Sequence, residues 1–322
     1  MMKKLPKYLI LFSILWSGVI ASNLAALDLN LNRLFGAGKD AVTAVSGVDE
    51  KDEIAIGREI AGRMLGAAPL VNDSELQAYV NRVGRWLALQ TDRPDLPWRF
   101  GVLDTPSINA FAAPGGYVLI TRGLYEMLGN EAQLAGVLGH EIGHIIQRHH
   151  ITVMRKSAAL SAGAQLAQRD DRNLMVNNLI GSGAEVMARG LDKSAEFEAD
   201  AIGVVLAARA GYSPYGLVEV LHTMAARGAG DASLALLFKT HPQPAERLTQ
   251  LGDKLAPRVA RLPAGQEPQI KTVSATDGPA PAAPQAAQPA AAQTLRNPGA
   301  TPPATGGGGV DPGSILRGIF GR

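Results

Sequence analysis

The sequence predicts an α+β fold, mainly α with a small β-sheet, and three observations carry that expectation. Apolar residues recur at helical spacing through most of residues 52–258. Between two such stretches, residues 98–121 alternate apolar and polar positions around the turn Pro114-Gly115-Gly116. Of 322 residues, 46% are hydrophobic and 19% charged, enough apolar surface for a sizeable core.

The N-terminus has its own logic. Lys3, Lys4 and Lys7 precede an apolar run from Tyr8 to Ala21, followed by the small residues Ala21-Ser22 and Ala25-Ala26. This reads as a signal peptide over residues 1–26, cut after Ala21 or Ala26, and hence as export to the periplasm. The alternative is an uncleaved anchor, although the run falls short of the ~17–25 apolar residues of an ordinary span. The chain has no cysteine. That excludes a lipid-modified cysteine and a disulfide framework, and leaves histidines and carboxylates as the ligands for any zinc site. With 31 basic and 29 acidic residues, the net charge of +2 argues against a broad nucleic-acid surface.

Residues 27–51 read as a connecting segment with Gly36, Gly38 and Gly47. A first helix follows from Asp52, with Ile54, Ile56, Ile60, Ala61, Met64 and Leu65 near helical spacing. Asn72-Asp73-Ser74 caps a second over 74–89, with Leu76, Tyr79, Val80, Val83, Trp86 and Leu87 on one side. Strands are expected over 98–103, 109–112 and 117–121. Helices are then expected over 130–148, 193–210, 213–227 and 244–255, with a Gly-interrupted helical stretch over 151–188. His222 falls on an apolar helix face and reads as a packing residue. Residues 259–322 are rich in Pro, Ala and Gly and are expected to form a disordered tail. Its last residues, Ile315-Leu316 and Ile319-Phe320 between arginines, form a small apolar face. That face is either a frayed end or a short docking segment for a partner or a membrane surface.

Gly139 to His150, "GHEIGHIIQRHH", holds four of the six histidines. His140-Glu141-Ile142-Gly143-His144 is HExxH. In a helix the two histidines lie about 40° apart on one face, so both imidazoles can grip one ion. Glu141 then reaches a water on that ion, takes its proton and delivers it to the leaving nitrogen of a peptide. A catalytic zinc needs a third protein ligand. His150 stands at the count at which metzincins place theirs, but the glycine that turns their chain is Gln147 here. On a continuing helix His150 lies about 240° round from His144, and His149 about 180° from His140. Both therefore read as bystanders at a helix end. The segment Ser194-Ala195-Glu196-Phe197-Glu198-Ala199-Asp200 supplies a carboxylate instead. Glu196 and Asp200 share a face, whereas Glu198 is about 200° from Glu196. Glu196 is the candidate third ligand, and Asp200, one turn on, is placed to orient a ligating histidine.

These motifs carry a resemblance. HEIGH, then EFEAD, with NAFAAPGGYV upstream and THPQPAERL downstream, resembles the zinc metallopeptidase family of the CaaX prenyl proteases and HtpX-type quality-control proteases. With one signal sequence and no multi-span membrane domain, it is most similar to that family's periplasmic BepA-like and LoiP-like branch. The resemblance implies a gluzincin-type domain over residues 52–258, with one zinc on His140, His144 and Glu196 and with Glu141 as the base. It also implies that Asn109, Ala110, Phe111 and Ala112 form an edge strand beside the cleft, to which an extended substrate adds. His241, in HPxxxxR with Arg247, resembles a histidine that in some periplasmic members approaches the zinc. A loop histidine is the other reading. Arg247 either pairs with a carboxylate or stabilises an oxyanion.

The expected function is an envelope endopeptidase acting on unfolded or misassembled polypeptides, with outer-membrane assembly machinery as a candidate partner. Two rivals stand beside it. One is a chaperone-like binding protein held in an autoinhibited metal-bound state by His241. The other is a structural zinc site closed by four ligands. The repeat domain that follows the protease in BepA-like proteins has the Pro/Ala-rich tail in its place here, so partner docking through such repeats is not implied.

Overall fold

A computed structural model describes residues 47–162, 176–177, 179–180, 183, 190–259 and 265–272. The predicted signal peptide, nearly all of the connecting segment, most of the Gly-interrupted stretch after Ala162 and most of the tail lie outside the described residues.

The α+β expectation holds. Helix α1 (Glu50–Ala67) starts at Asp49, whose carboxylate accepts the Asp52 N–H, and buries Ile56, Ile60 and Met64. Helix α2 (Ser74–Ala88) is capped by Asp73, which accepts the N–H groups of Glu75 and Leu76. It buries Leu76, Val80, Val83 and Leu87. Trp86, expected on that side, is half exposed and donates its indole N–H to the Ala210 carbonyl at 2.9 Å.

Three strands come next: β1 (Arg99–Leu103), β2 (Ala110–Ala113) and β3 (Tyr117–Thr121). β3 is central, parallel to β1 and antiparallel to β2. β2 is thus an edge. The Thr121 N–H donates to the Asn109 carbonyl. Bonded pairs alternate along an antiparallel ladder, so Phe111 and Ala113 also face β3 while Ala110 and Ala112 turn outward. The Ala110 N–H is met by Asn109 Oδ1 at 2.9 Å.

The sheet passes directly into a short helix α3 (Arg122–Met127), which periodicity did not reveal, and then into α4 (Glu131–Ile146). Asn130 caps α4, its side chain accepting the Gln133 N–H. Next come α5 (His149–Ala162), α6 (Lys193–Arg209), α7 (Gly216–Arg227), a one-turn α8 (Leu237–Thr240) and α9 (Pro244–Val259). His222 is exposed on α7, not packed inside. Its neighbours in sequence are apolar, but the side α7 turns inward carries Leu217, Val220, Leu221 and Met224. The body also continues beyond the expected start of the tail. Residues 265–272 run along it through Gln266–Gly211, Ser213–Gln266 and Glu131–Pro268 backbone hydrogen bonds.

α4 is buried on nearly every side and packs most closely on α6. Glycine makes that contact. A Cβ on Gly203 would meet the His140 backbone nitrogen at 2.8 Å, and one on Gly143 would meet the Ala199 Cα at 3.1 Å. Small residues at four-residue spacing on both helices let the two backbones approach, which brings HExxH face to face with the start of α6.

Buried Glu53 of α1 ties four segments together. It accepts Arg93 Nη1 at 3.0 Å and Nη2 at 2.9 Å, Arg148 Nε at 2.9 Å, and the Gly115 N–H at 3.2 Å. Arg148 also donates to the Val48 carbonyl.

Candidate metal centre

The side chains of the α4–α6 contact converge. His140 Nε2 and His144 Nε2 lie 3.0 Å apart. From α6, Glu196 puts Oε2 3.7 Å from His140 Nε2 and Oε1 3.6 Å from His144 Nε2. His241, just after α8, places Nε2 3.7 Å from Glu196 Oε2. One ligand atom from each of the four lies within 4.8 Å of all the others. A tetrahedral ion with bonds of ~2.0–2.1 Å has ligand–ligand edges of about 3.3 Å, so these spacings fit a zinc-sized ion. A second observation supports the fit: Glu196 Oε2 is buried with no hydrogen-bond partner. A buried carboxylate oxygen without a donor is costly, and a cation in the cluster would satisfy it.

The other nitrogen of each ring is occupied. His140 Nδ1 lies 2.9 Å from Asp200 Oδ1, His144 Nδ1 lies 3.0 Å from His149 Nδ1, and His241 Nδ1 lies 2.9 Å from Thr240 Oγ1. With protons at Nδ1, all three Nε2 lone pairs face the cluster. Asp200 is in turn gripped by Arg247, through Nε at 2.9 Å and Nη2 at 2.5 Å. Of the two roles read for Arg247, the described geometry brings it to the carboxylate. Burial pushes the Asp200 carboxyl up, but Arg247, with His140 behind it, outweighs this and holds it below the usual carboxylate range.

Burial dominates the rest of the site. It lowers His140, with Arg247 adding to the effect, and it lowers His144 and His241 well below the ordinary histidine value. Neutral imidazoles are what a metal needs. Burial raises Glu196 well above its ordinary value and Glu141 to about 8, so an ionised Glu141 is a stronger base than an exposed glutamate. Either carboxyl would be pulled back down by a cation beside it.

Glu141 stands between two pockets. One, lined by Ala110, Phe111 and Ala112 of β2 with His144, His150 and Gly190, follows the strand edge. The other is a small, mainly apolar depression walled by Leu124, Val137, Leu217, Val220, Leu221 and Met224 beside His140. His140, Glu141, His144, Glu196, Asp200, His241 and Arg247 therefore meet in one place beside Ala110, Phe111 and Ala112. Asn109 does not join them: it precedes β2, and its N–H and carbonyl are both bonded to Thr121.

The reading of His149 and His150 needs correction. Helix α4 does not continue through Arg148. It ends at Ile146, Arg148 takes a left-handed backbone with φ of 54°, and α5 restarts at His149. The corner swings His149 onto His144 and places His150 in the pocket by the strand edge. Burial lowers His150 to about 3. Neither ring belongs to the ligand cluster; His149 contacts His144 and His150 lines the pocket. The turn that metzincins make at a glycine is made here one residue later, by an arginine held by Glu53, and no local pattern signals that. Thr240 and Gly190 escaped the sequence reading, as did the contact of His149 with His144. Gly190 has φ of 79° and lies so close to Thr240 that a Cβ would meet its carbonyl oxygen at 2.2 Å.

Known proteins are similar to this chain in sequence. The pattern of peptidase family M48 matches residues 74–254. The beta-barrel assembly-enhancing protease of Yersinia pestis is 30% identical over 206 residues, 61% of this chain and 42% of that protein. Metalloprotease YcaL of Escherichia coli K12 is 28% identical over 240 residues, 71% of this chain and 89% of that protein. The mitochondrial metalloendopeptidase OMA1 of Schizosaccharomyces pombe is 31% identical over 180 residues, 55% of this chain and 52% of that protein. The match thus spans less than half the length of the assembly-enhancing relative.

Proposed function

We propose, from the premise that this chain belongs to peptidase family M48, that it is a zinc-dependent endopeptidase of the cell envelope. The observation that carries the reading is the convergence of His140, His144 and Glu196 beside Glu141 and the outward edge of β2. His140, His144 and Glu196 would hold one zinc, which when bound would supply Lewis acidity to a peptide carbonyl. The chain does the rest. The outward groups of β2, the Ala112 N–H and the carbonyls of Ala110 and Ala112, pair with an extended polypeptide. The apolar depression offers an apolar surface to one of that polypeptide's side chains. Glu141 removes the proton of the attacking water and gives it to the leaving nitrogen.

Its substrates are unfolded or misassembled envelope polypeptides. This part of the proposal is motivated by the export-like N-terminus and by relatives named for β-barrel assembly. Outer-membrane assembly machinery is the candidate partner, and the near-even charge balance gives no reason to invoke nucleic acid. Among the described residues no helix is long and apolar enough to cross a membrane. The apolar face at residues 315–320, proposed for peripheral membrane contact, lies outside them.

The test is casein cleavage by wild type and Glu141→Gln, each with and without chelator. Cleavage only by the metal-loaded wild type is expected, and equal cleavage by both proteins would end the protease reading. A second reading rests on His241, whose Nε2 sits among the ligand atoms. In it His241 takes the position a substrate needs, and the protein binds polypeptides with cleavage held off. His241→Ala should then gain activity, where a plain catalytic role predicts loss.

A further inference from the structure

We infer that His149 and Glu198 are positioning residues for the metal, acting through His144. The inference rests on the ligand set proposed above and names residues that set does not contain. The two HExxH histidines are supported in different ways. His140 leans on Asp200, an anion locked by Arg247. His144 leans on His149, a second imidazole, at 3.0 Å between Nδ1 atoms. Two facing ring nitrogens make one hydrogen bond only if one carries a proton and the other does not. For His144 to offer Nε2 to an ion, its Nδ1 must be the donor and His149 Nδ1 the acceptor.

That requires His149 to carry its proton on Nε2, and the structure supplies the reason. His149 Nε2 lies 3.4 Å from Glu198 Oε2, close enough for the carboxylate to favour a proton there. Both contacts of His149 therefore select the same tautomer. The line runs from Glu198 through His149 to His144, and it fixes the ring plane of His144 and makes it a better electron donor. The pieces come from three places in the chain. Glu198 sits two residues from Glu196 on α6, facing a different way, and His149 arrives only because the chain turns at Arg148.

The experiment uses the full chain and reads metal, not turnover. Zinc affinity is measured by competition with a chromophoric chelator, and ligand geometry by the visible spectrum of the cobalt-substituted protein. His149→Leu keeps bulk but removes the acceptor. His149→Asn places an amide oxygen where Nδ1 stood. Loss of such a partner typically costs 10–100-fold in metal affinity, so a loosening of about that size and an altered cobalt spectrum are expected for His149→Leu. His149→Asn should return to within about threefold of wild type, a rescue that a purely structural role would not give. Glu198→Ala, at a partly exposed position, should loosen zinc severalfold with no change in the melting of the metal-free protein. A tight wild-type site that His149→Leu leaves unchanged, or an Asn variant as weak as Leu, would overturn this inference alone. A wild type without a tight zinc site would overturn the ligand reading and this inference with it.

Discussion

Replacing Gly203 by Ala tests the closest point of the scaffold. The new Cβ would sit 2.8 Å from the His140 nitrogen, 3.1 Å from the Gly136 oxygen and 3.2 Å from the Gly139 carbonyl carbon. These are backbone atoms, so no rotamer change relieves them. Restoring ordinary contact needs α4 and α6 to part by about 0.6 Å or more. Overpacking of this kind costs about 1–3 kcal/mol, and the higher helix propensity of Ala returns about 1 kcal/mol. The expected net loss is about 1 kcal/mol, or about 2–4 °C in melting temperature for a domain of this size. The same gap separates Glu196 from both histidines, so zinc affinity should fall as well. Gly62 is the control. It is exposed in the interior of α1 with nothing within 4 Å of a Cβ, so Gly62→Ala should stabilise the protein by about 0.5–1 kcal/mol. Thermal melts with and without zinc, together with chelator competition, measure both terms. If Gly203→Ala is as stabilising as Gly62→Ala and binds zinc as wild type does, the close-packing argument is wrong.

Three further outcomes are expected. Removing the metal should lower the melting temperature, because the proposed ligands join α4 to α6; at a zinc concentration of 1,000 times Kd the linkage is worth about 4 kcal/mol. Differential scanning with and without chelator checks this, and an unchanged melt would contradict it. Glu53→Gln should cost about 3–5 kcal/mol in urea unfolding, since it leaves two buried guanidinium groups short of their counter-charge. Burial, with Glu131 beside them, raises the phenols of Tyr79, Tyr125 and Tyr212 above their ordinary value of 10.0. A group raised in the folded state contributes fully below its unfolded value. Stability should therefore be level up to about pH 10 and fall as pH climbs beyond it, and Tyr79→Phe should flatten that fall in urea midpoints taken from pH 9 to 12.

Much of this architecture was legible because local signals and tertiary needs agree. Asp73 announces a helix that it does cap, and the apolar rows of α1 and α2 largely face the core. The contrast between Glu196 and Glu198 follows from helix geometry alone, and the structure places them as that geometry requires. The parts that stayed hidden depend on distant partners. Arg148 bends the chain although its neighbours favour a helix, because Glu53 and the Val48 carbonyl hold its side chain. The short helices α3 and α8 hold too few residues for a period to show. Thr240 next to His241 looks like any threonine in a loop until its hydroxyl is seen against the ring. Residues 265–272 have no apolar period of their own; backbone bonds to Gly211, Ser213 and Glu131, the Tyr125 hydroxyl on the Lys271 carbonyl, the Lys271–Glu75 ion pair and Ile270 against the core dock them on the body.

The Glu53 junction also orders events during folding. Its partners lie 40 residues away at Arg93 and 62 away at Gly115, with Arg148 more distant still. Contacts of such long range close late, after the helices and the β2–β3 hairpin have formed locally. HExxH sits on one helix and so has both histidines aligned early. The turn that carries His149 to them waits until α1 has docked, because α1 supplies the carboxylate that holds Arg148. α1 lies before residue 74, where the family match begins. The complete centre is therefore a product of finished folding, and a nascent chain displays two of its histidines before it can hold them in place.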